Sequence, residues 1–370
     1  MLDSTTHFAP AGRGVVDRAG MSTVAWLAAG GVAAAVAYRA VRRGADLRGK
    51  VVLITGGSRG LGLLIARELV DHGCRLAICA RDEDELEGAR SELAALGAAV
   101  LAVRCDVSDE ADVRALVEAV VRRFGRVDVL INNASIIQVG PLHAMTAADF
   151  REVMAINFFG ALYASLAVIP QMRARGEGRI VNITSIGGKL AVPHLLPYSC
   201  AKFATVGLSE GLAAELARDG VRVTTVVPGI MRTGSPVNAF FKGEPEREFA
   251  WFALESATPL TAVNARRAAR RIVRALRRGE VYVTISWLAK ALRVAHDLSP
   301  ATTTRVLGVV NRLMPSRSRG TTENVRGMRL THPLAPSFAT WLMNRAAIHN
   351  RAFGGRPRPT PSHARRVGLI

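Results

Sequence analysis

The chain has 370 residues, 49% of them apolar and 5% aromatic, enough for one sizeable core but short of two large domains. Its net charge of +19 is uneven: from Thr261 onward stand 21 Lys/Arg against 3 Asp/Glu, a surplus that suits an anionic membrane surface, while the first 260 residues are nearly neutral. Cys74, Cys79, Cys105 and Cys200 lack metal-ligand spacing, the eight histidines are scattered, and no zinc knuckle or aromatic stacking motif accompanies the arginines, which argues against a metal centre, a disulfide framework and nucleic acid.

Residues 1–20 are polar, with Gly and Pro, and read as disordered. Met21–Tyr38 then runs eighteen residues without a charge and is followed by Arg39, Arg42 and Arg43. That is the short end of the roughly 17–25 residues that span a bilayer. Residues 21–43 are therefore expected to form an apolar helix, and a membrane anchor is the favoured reading. The flanking arginines would leave the chain beyond them cytoplasmic. A peripheral or packed helix stays open, as does a cleaved signal peptide ending near Ala35-Val36-Ala37.

A βαβ unit opens at Lys50. Val51-Val52-Leu53-Ile54 is a continuous apolar run, as a strand buried on both faces requires. Thr55-Gly56-Gly57-Ser58-Arg59-Gly60-Leu61-Gly62 comes after it, and the amphipathic Leu61–His72 comes next. Glycines there let the backbone approach a pyrophosphate that the helix N-terminus attracts. After the second strand, Arg75–Arg81, a unit selective for an unphosphorylated ribose would carry an acid. This chain has Ala80 and then Arg81, with Arg59 in the loop. Two guanidiniums and no carboxylate suit a 2′-phosphate, hence NADP(H). The alternative is that Arg81 pairs with Asp82 or Glu83.

Helices are expected at Asp84–Leu96 and Asp109–Phe124, with strands at Ala98–Val103 and Val127–Ile131. Phe150–Arg173 reads as one long helix containing Asn157. Arg179–Thr184 is a strand that leads to Ser185, and a helical pattern runs on through Leu216. Tyr198 and Lys202 are four apart and share a helix face. A phenol titrates near 10, and a neighbouring ammonium would lower that value enough for proton transfer near neutrality. Alone, such a pair is as readily a solvated helix face. Val221–Val227 and Val281-Tyr282-Val283 are the last strands, with a helix at Ala262–Arg278 between them.

Residues 230–260 hold Phe240, Phe241, Phe249, Trp251 and Phe252, five of the chain's sixteen Phe and Trp. They would line a lipophilic pocket, meet a membrane, or bury against the C-terminal extension. Beyond Ser286, Trp287–Leu298 and Thr303–Met314 read as basic amphipathic helices that suit anionic lipid. Ser316–Arg329 is polar and basic, Pro336–Phe353 is a further helix, and 354–370 is a disordered tail.

Taken together, Ser185, Tyr198 and Lys202 resemble the active site of the short-chain dehydrogenase/reductase family. Thr55–Gly62 resembles its TGxxxGxG loop, Asn132-Asn133-Ala134 its NNAG motif, and Pro228-Gly229 with Thr233 its PGxxxT segment. Asn157 matches the fourth member of its catalytic tetrad, and Ser135 departs from the usual Gly. The motifs fall in the family's order from about Lys50 to Val283. The resemblance implies a doubly wound Rossmann α/β fold with a seven-stranded parallel sheet over 47–285; beyond Ser286 it runs out, and 286–353 reads as a mostly helical, basic extension. It implies that Tyr198 transfers a proton, Ser185 steadies the reacting oxygen, Lys202 lowers the tyrosine pKa and holds the nicotinamide ribose, and Asn157 completes a proton relay. The cofactor would lie against Gly56, Ser58, Arg59, Gly60, Leu61, Gly62, Arg81, Asp106, Val107, Asn132, Ala134, Pro228, Gly229 and Thr233, as well as Tyr198 and Lys202. A homodimer or homotetramer through the helix Ala201–Arg218 is the matching assembly. The reading is an NADP(H)-dependent carbonyl/alcohol oxidoreductase acting on a lipophilic small molecule. A catalytically idle nucleotide-binding protein is the rival, and the intact tetrad argues against it.

Overall fold

The computed structural model describes residues 44–257, 262–315, 320–330 and 347–352. The expectations for the disordered N-terminus, the apolar helix 21–43, the tail and most of Pro336–Phe353 lie outside these residues.

The chain alternates strand and helix as the apolar runs dictate: β1 Val51–Thr55, α1 Gly60–Val70, β2 Arg75–Ala80, α2 Glu83–Ala95, β3 Val100–Arg104, α3 Glu110–Phe124 and β4 Val129–Asn132. Asp82 and Asp109 cap α2 and α3 through their carboxylates, which satisfies amides that the first turn leaves open. After the short β5 (Gln138–Val139) come α4 Ala147–Met154 and α5 Gly160–Arg175, then β6 Gly178–Ile183, α6 Leu196–Glu215 and β7 Val221–Val227.

The expected single helix Phe150–Arg173 is interrupted. Ala155–Phe159, between α4 and α5, is a π-helical turn, and Asn157 sits in its middle. The composite Ala147–Arg175 is the one described helical stretch long and apolar enough to cross a membrane, and it is half buried against this core. Helix α6 starts at Leu196, ahead of the Ala201 expected for its long interface stretch, so that Tyr198 and Lys202 both fall within it.

After β7 the chain forms β8 Met231–Arg232, α7 Ser235–Asn238, β9 Phe240–Gly243 and α8 Pro245–Ala257. It continues through β10 Val263–Asn264, α9 Ala265–Arg278, β11 Tyr282–Thr284, α10 Trp287–Leu298, α11 Pro300–Asn311 and β12 Thr321–Arg326. Seven parallel strands form the main sheet in the order β11-β7-β6-β4-β1-β2-β3. Helices cover both faces of this doubly wound Rossmann fold, and the two buried clusters lie one on each side. Strand order reverses at β1, whose neighbours are β2 and β4, so a crevice opens at their carboxyl ends.

The aromatic stretch 230–260 holds more regular structure than its sequence suggests. β9 pairs in parallel with β5 and antiparallel with β12, which makes a small three-stranded sheet beside the main one. The stretch read only as polar and basic, Ser316–Arg329, thus contributes a strand and folds back on the catalytic unit. Phe241 is fully buried there with Phe249, Val139 and Leu195, and Phe252 and Leu330 pack against them. Burial is therefore what happens to much of this aromatic set.

Candidate active site

A cavity of about 710 Å³ runs along the carboxyl ends of the central strands. Its β2/β3 end carries Ser58, Arg59, Arg81, Asp106 and Val107. Gly56, Gly60, Leu61, Ala134, Pro228, Gly229 and Thr233 come next, and Ser185, Tyr198 and Lys202 stand towards β6. Three residues expected there do not line it. Gly62 lies behind the loop, where a Cβ would meet the Gly56 carbonyl oxygen at 2.2 Å, so only glycine lets α1 pack so closely. Asn132 is buried in the core, its amide donating to Asn182 Oδ1 at 2.8 Å and Ser165 Oγ at 3.1 Å. Asn157 also lies beside the cavity.

Gly60 has φ +57 with open space where a Cβ would project, and α1 starts after Arg59 without a side-chain cap. The loop is thus a cradle whose amides and helix N-terminus suit an anion. At the β2/β3 end, Arg59 Nη1 donates to Glu85 Oε1 at 2.8 Å, and the Ser58 hydroxyl donates to Glu85 Oε2 at 3.3 Å. Arg81 does not pair with Asp82 or Glu83; its guanidinium stands 4.0 Å from Asp106 and is half exposed. Burial pushes the Asp106 carboxyl up, but the Ser108 hydroxyl and amide and then Arg81 and Arg104 outweigh it and hold the pKa below the usual range.

At the β6 end, the Ser185 hydroxyl accepts from Gly187 N at 3.1 Å and stands close enough to Tyr198 to affect its titration. Ile186 N donates to the Pro228 carbonyl at 2.8 Å, which ties the serine turn to the end of β7. Burial holds the Tyr198 phenol above its ordinary pKa, and the Ser185 hydroxyl only partly offsets it. Lys202 points its ammonium at the Ile183 carbonyl, 3.1 Å away, and lies over the tyrosine ring 5.5 Å from its centre. Burial pushes Lys202 itself down to about 8.

The π turn explains the place of Asn157. Its side chain accepts from Ile136 N at 2.8 Å and donates to Ile136 O at 3.0 Å, while its own carbonyl accepts the Thr205 hydroxyl at 3.1 Å. It links the helix to the segment after β4 and to α6.

Residues 50–240, more than half of the chain, match the family model described as short chain dehydrogenase. The chain belongs to the short-chain dehydrogenase/reductase family. It is 39% identical over 204 residues to the dehydrogenase/reductase SDR family protein 7-like of Anopheles gambiae, covering 54% of this chain and 64%, under two thirds, of that protein. It is 38% identical over 200 residues to levodione reductase of Leifsonia aquatica, covering 53% and 75%. A solved short-chain dehydrogenase from Streptomyces avermitilis superposes with a TM-score of 0.63 at 32% identity, over 71% of this chain and 98% of that one.

Several residues around the site are not singled out as site residues by the sequence. Asn133 holds the glycine loop, its amide donating to the Thr55 and Gly56 carbonyls at 3.0 and 2.9 Å. Glu85 engages both Ser58 and Arg59. His194, in a left-handed conformation at φ +61, meets the fully buried Glu248 at 2.8 Å, and Trp251 donates to the same carboxylate at 2.7 Å. That cluster fixes the approach to Tyr198 against α8. Phe240 of β9, Arg326 of β12 and Ala352 also line the cavity. Of these three only Phe240 has a sequence signal, the aromatic density of its segment.

Proposed function

We propose that the protein is an NADP(H)-dependent oxidoreductase that interconverts a carbonyl and an alcohol on a small lipophilic substrate. The observation that carries this is the meeting of Ser185, Tyr198 and Lys202 on one cavity whose other lip is the glycine loop. A nicotinamide dinucleotide would supply or accept the hydride. In this reading Gly56, Ser58, Gly60 and Leu61 form its phosphate cradle with Gly62 letting the helix pack behind them, Arg59 and Arg81 take the 2′-phosphate, and Asp106 and Val107 flank the adenine. Ala134, Pro228, Gly229 and Thr233 complete its walls, and Asn132 braces the sheet behind them. Because burial keeps the Tyr198 phenol protonated at neutrality, Tyr198 holds the proton that a substrate oxygen would take. Ser185, on the same lip of the cavity, donates to the same substrate oxygen. Lys202 places positive charge beneath the ring, and Asn157 holds the loop at Ile136. Ile137, Ile156, Met231 and Phe240 line the cavity and support an apolar substrate.

In the same reading the protein works at an anionic membrane surface. Helices α10 and α11 and the turn after them support it: Leu298 and Leu313 are 82% and 86% exposed, and Trp287, Val306 and Val309 are also open to solvent. Lys290, Arg293, Arg305 and Arg312 accompany them against Asp297 alone.

The test is turnover with a panel of ketones, aldehydes and secondary alcohols, read by NADPH absorbance. Tyr198→Phe should lower the rate by at least about a hundredfold, the usual scale for a lost general acid, with dinucleotide binding retained. Near-normal turnover in that variant would overturn the mechanism.

A further inference from the structure

Residues 347–352 come far after the glycine loop in sequence yet pack directly on it. The amide of Gly60, the first residue of α1, donates to the Asn350 carbonyl at 2.9 Å. Further along α1, Arg67 Nη2 donates to the His349 carbonyl at 3.2 Å. On α2 the Gly88 carbonyl accepts from Arg351 Nη1 at 2.9 Å, and Glu92 stands 3.7 Å from that nitrogen. These contacts all belong to the lip formed by the first βαβ unit.

The same six residues also hold the opposite lip. Asn350 Nδ2 reaches the Thr233 carbonyl at 3.4 Å, and Asn238 Nδ2 donates to the Ala352 carbonyl at 2.7 Å. Ala347, Asn350 and Ala352 are buried, the two alanines packing on Val237. Gly234 makes room for them: a Cβ there would come within 2.8 Å of Ala347 Cα. The segment therefore bridges the cleft. Gly60, Thr233, Asn238 and Ala352 all line the cavity, which keeps its volume of about 710 Å³ beneath the bridge. It is a roof, and it does not fill the space below.

We propose that residues 347–352 are a clasp of the cofactor site, closed over the bound dinucleotide and opened for its entry and exit. This rests on the reading of the cleft as a nicotinamide dinucleotide site. A ligand that lies along the strand ends must pass the bridge, and a bridge held by small side chains and a few hydrogen bonds opens locally without unfolding the sheet. Arg351 is the positioning residue. It is outside the cavity lining and acts by fastening the clasp to α2.

The experiment is stopped-flow binding of NADPH, monitored by nicotinamide fluorescence, on the full-length chain and two variants. Arg351→Ala removes the fastening. Gly88→Ala places a Cβ 1.9 Å from Arg351 Nη2 and displaces the guanidinium, while alanine favours the helix it joins. Both variants should raise the association and dissociation rates together by about fivefold, the scale of one hydrogen bond, with the Kd little changed. Hydrogen exchange of residues 347–352 should quicken in both variants and slow when NADPH is added. Unchanged rates with retained binding would overturn the clasp. Faster dissociation alone would make the segment a plain contact, and faster association alone would make it a competitor; either result overturns a gate. Failure of the unmodified chain to bind NADPH or NADH would overturn the cofactor reading and the clasp with it.

Discussion

Lys202 is 3% exposed and hydrogen-bonded to the Ile183 carbonyl, and burial brings its pKa from 10.5 to about 8. Below pH 8 both folded and unfolded chains hold the proton, and the folded state bears a desolvation cost on the order of 3 kcal/mol. Between 8 and 10.5 the folded chain releases its proton first, and the cost fades. Lys202→Met removes that cost but leaves the Ile183 carbonyl without its donor, worth roughly 1–3 kcal/mol. The variant should be at least as stable as the parent at pH 7, and any advantage should shrink towards pH 10 in thermal melts; turnover should be lost. An advantage that grew with pH would contradict the sign. In the parent, carbonyl reduction should decline as pH rises through about 8, where Lys202 loses its charge. At the other end of the cavity Arg81 is half exposed and only loosely paired with Asp106. Arg81→Ala should weaken NADPH far more than NADH in titrations, and equal losses would make the residue structural. The arginines, the serine, the tyrosine and the lysine are all legible in the sequence as side chains with a chemistry. Glu85 is not, because its importance comes from Ser58 and Arg59, distant partners that no spacing encodes, and Asn133 is marked by its motif but not by its hold on the glycine loop.

The main sheet is legible because strands buried on both faces tend to be continuous apolar runs, as β1 is up to Thr55 and β4 is up to Asn132; β7 carries Arg222 and two threonines and still reads as a strand by its four valines. The small sheet is not. β12 reads Thr-Thr-Glu-Asn-Val-Arg, a polar edge strand without alternation, and only its pairing with β9 makes it a strand. The π turn gives no periodic signal either; the family resemblance points to Asn157, and the structure supplies its geometry. Gly327, just past β12, tests how the extension docks. A Cβ there would lie 1.9 Å from the Pro236 carbonyl oxygen and 3.0 Å from the Phe241 ring. Gly327→Ala should destabilise that docking by about 1–3 kcal/mol, the usual cost of overpacking. Limited proteolysis should then cut the extension faster, and the KM for substrate should rise more than that for cofactor. Equal proteolysis rates would mean that the contact relaxes without consequence.

For the molecule as a whole, the two hints of membrane attachment are separable. Salt screens charge, but not apolar insertion. Full-length protein should stay in the membrane fraction through a high-salt wash, and removal of residues 1–43 should make attachment salt-sensitive. In that shortened chain, Leu298→Asp with Val309→Asp should reduce co-sedimentation with anionic vesicles and leave NADPH binding intact. Undiminished sedimentation would remove α10 and α11 from the interface. The basic surplus is evident from the sequence, whereas the folding of the extension onto the cavity is not, since much of that contact is made through backbone carbonyls. That wall has a further consequence. The family match ends at residue 240, yet Arg326 and Ala352 reach the cavity from beyond the last strand of the main sheet. The lining of the cavity thus draws on a longer stretch of chain than the main sheet does. Exchanging everything after Ser286 between two relatives should transfer substrate preference as a unit, while the melting of the sheet stays with the recipient.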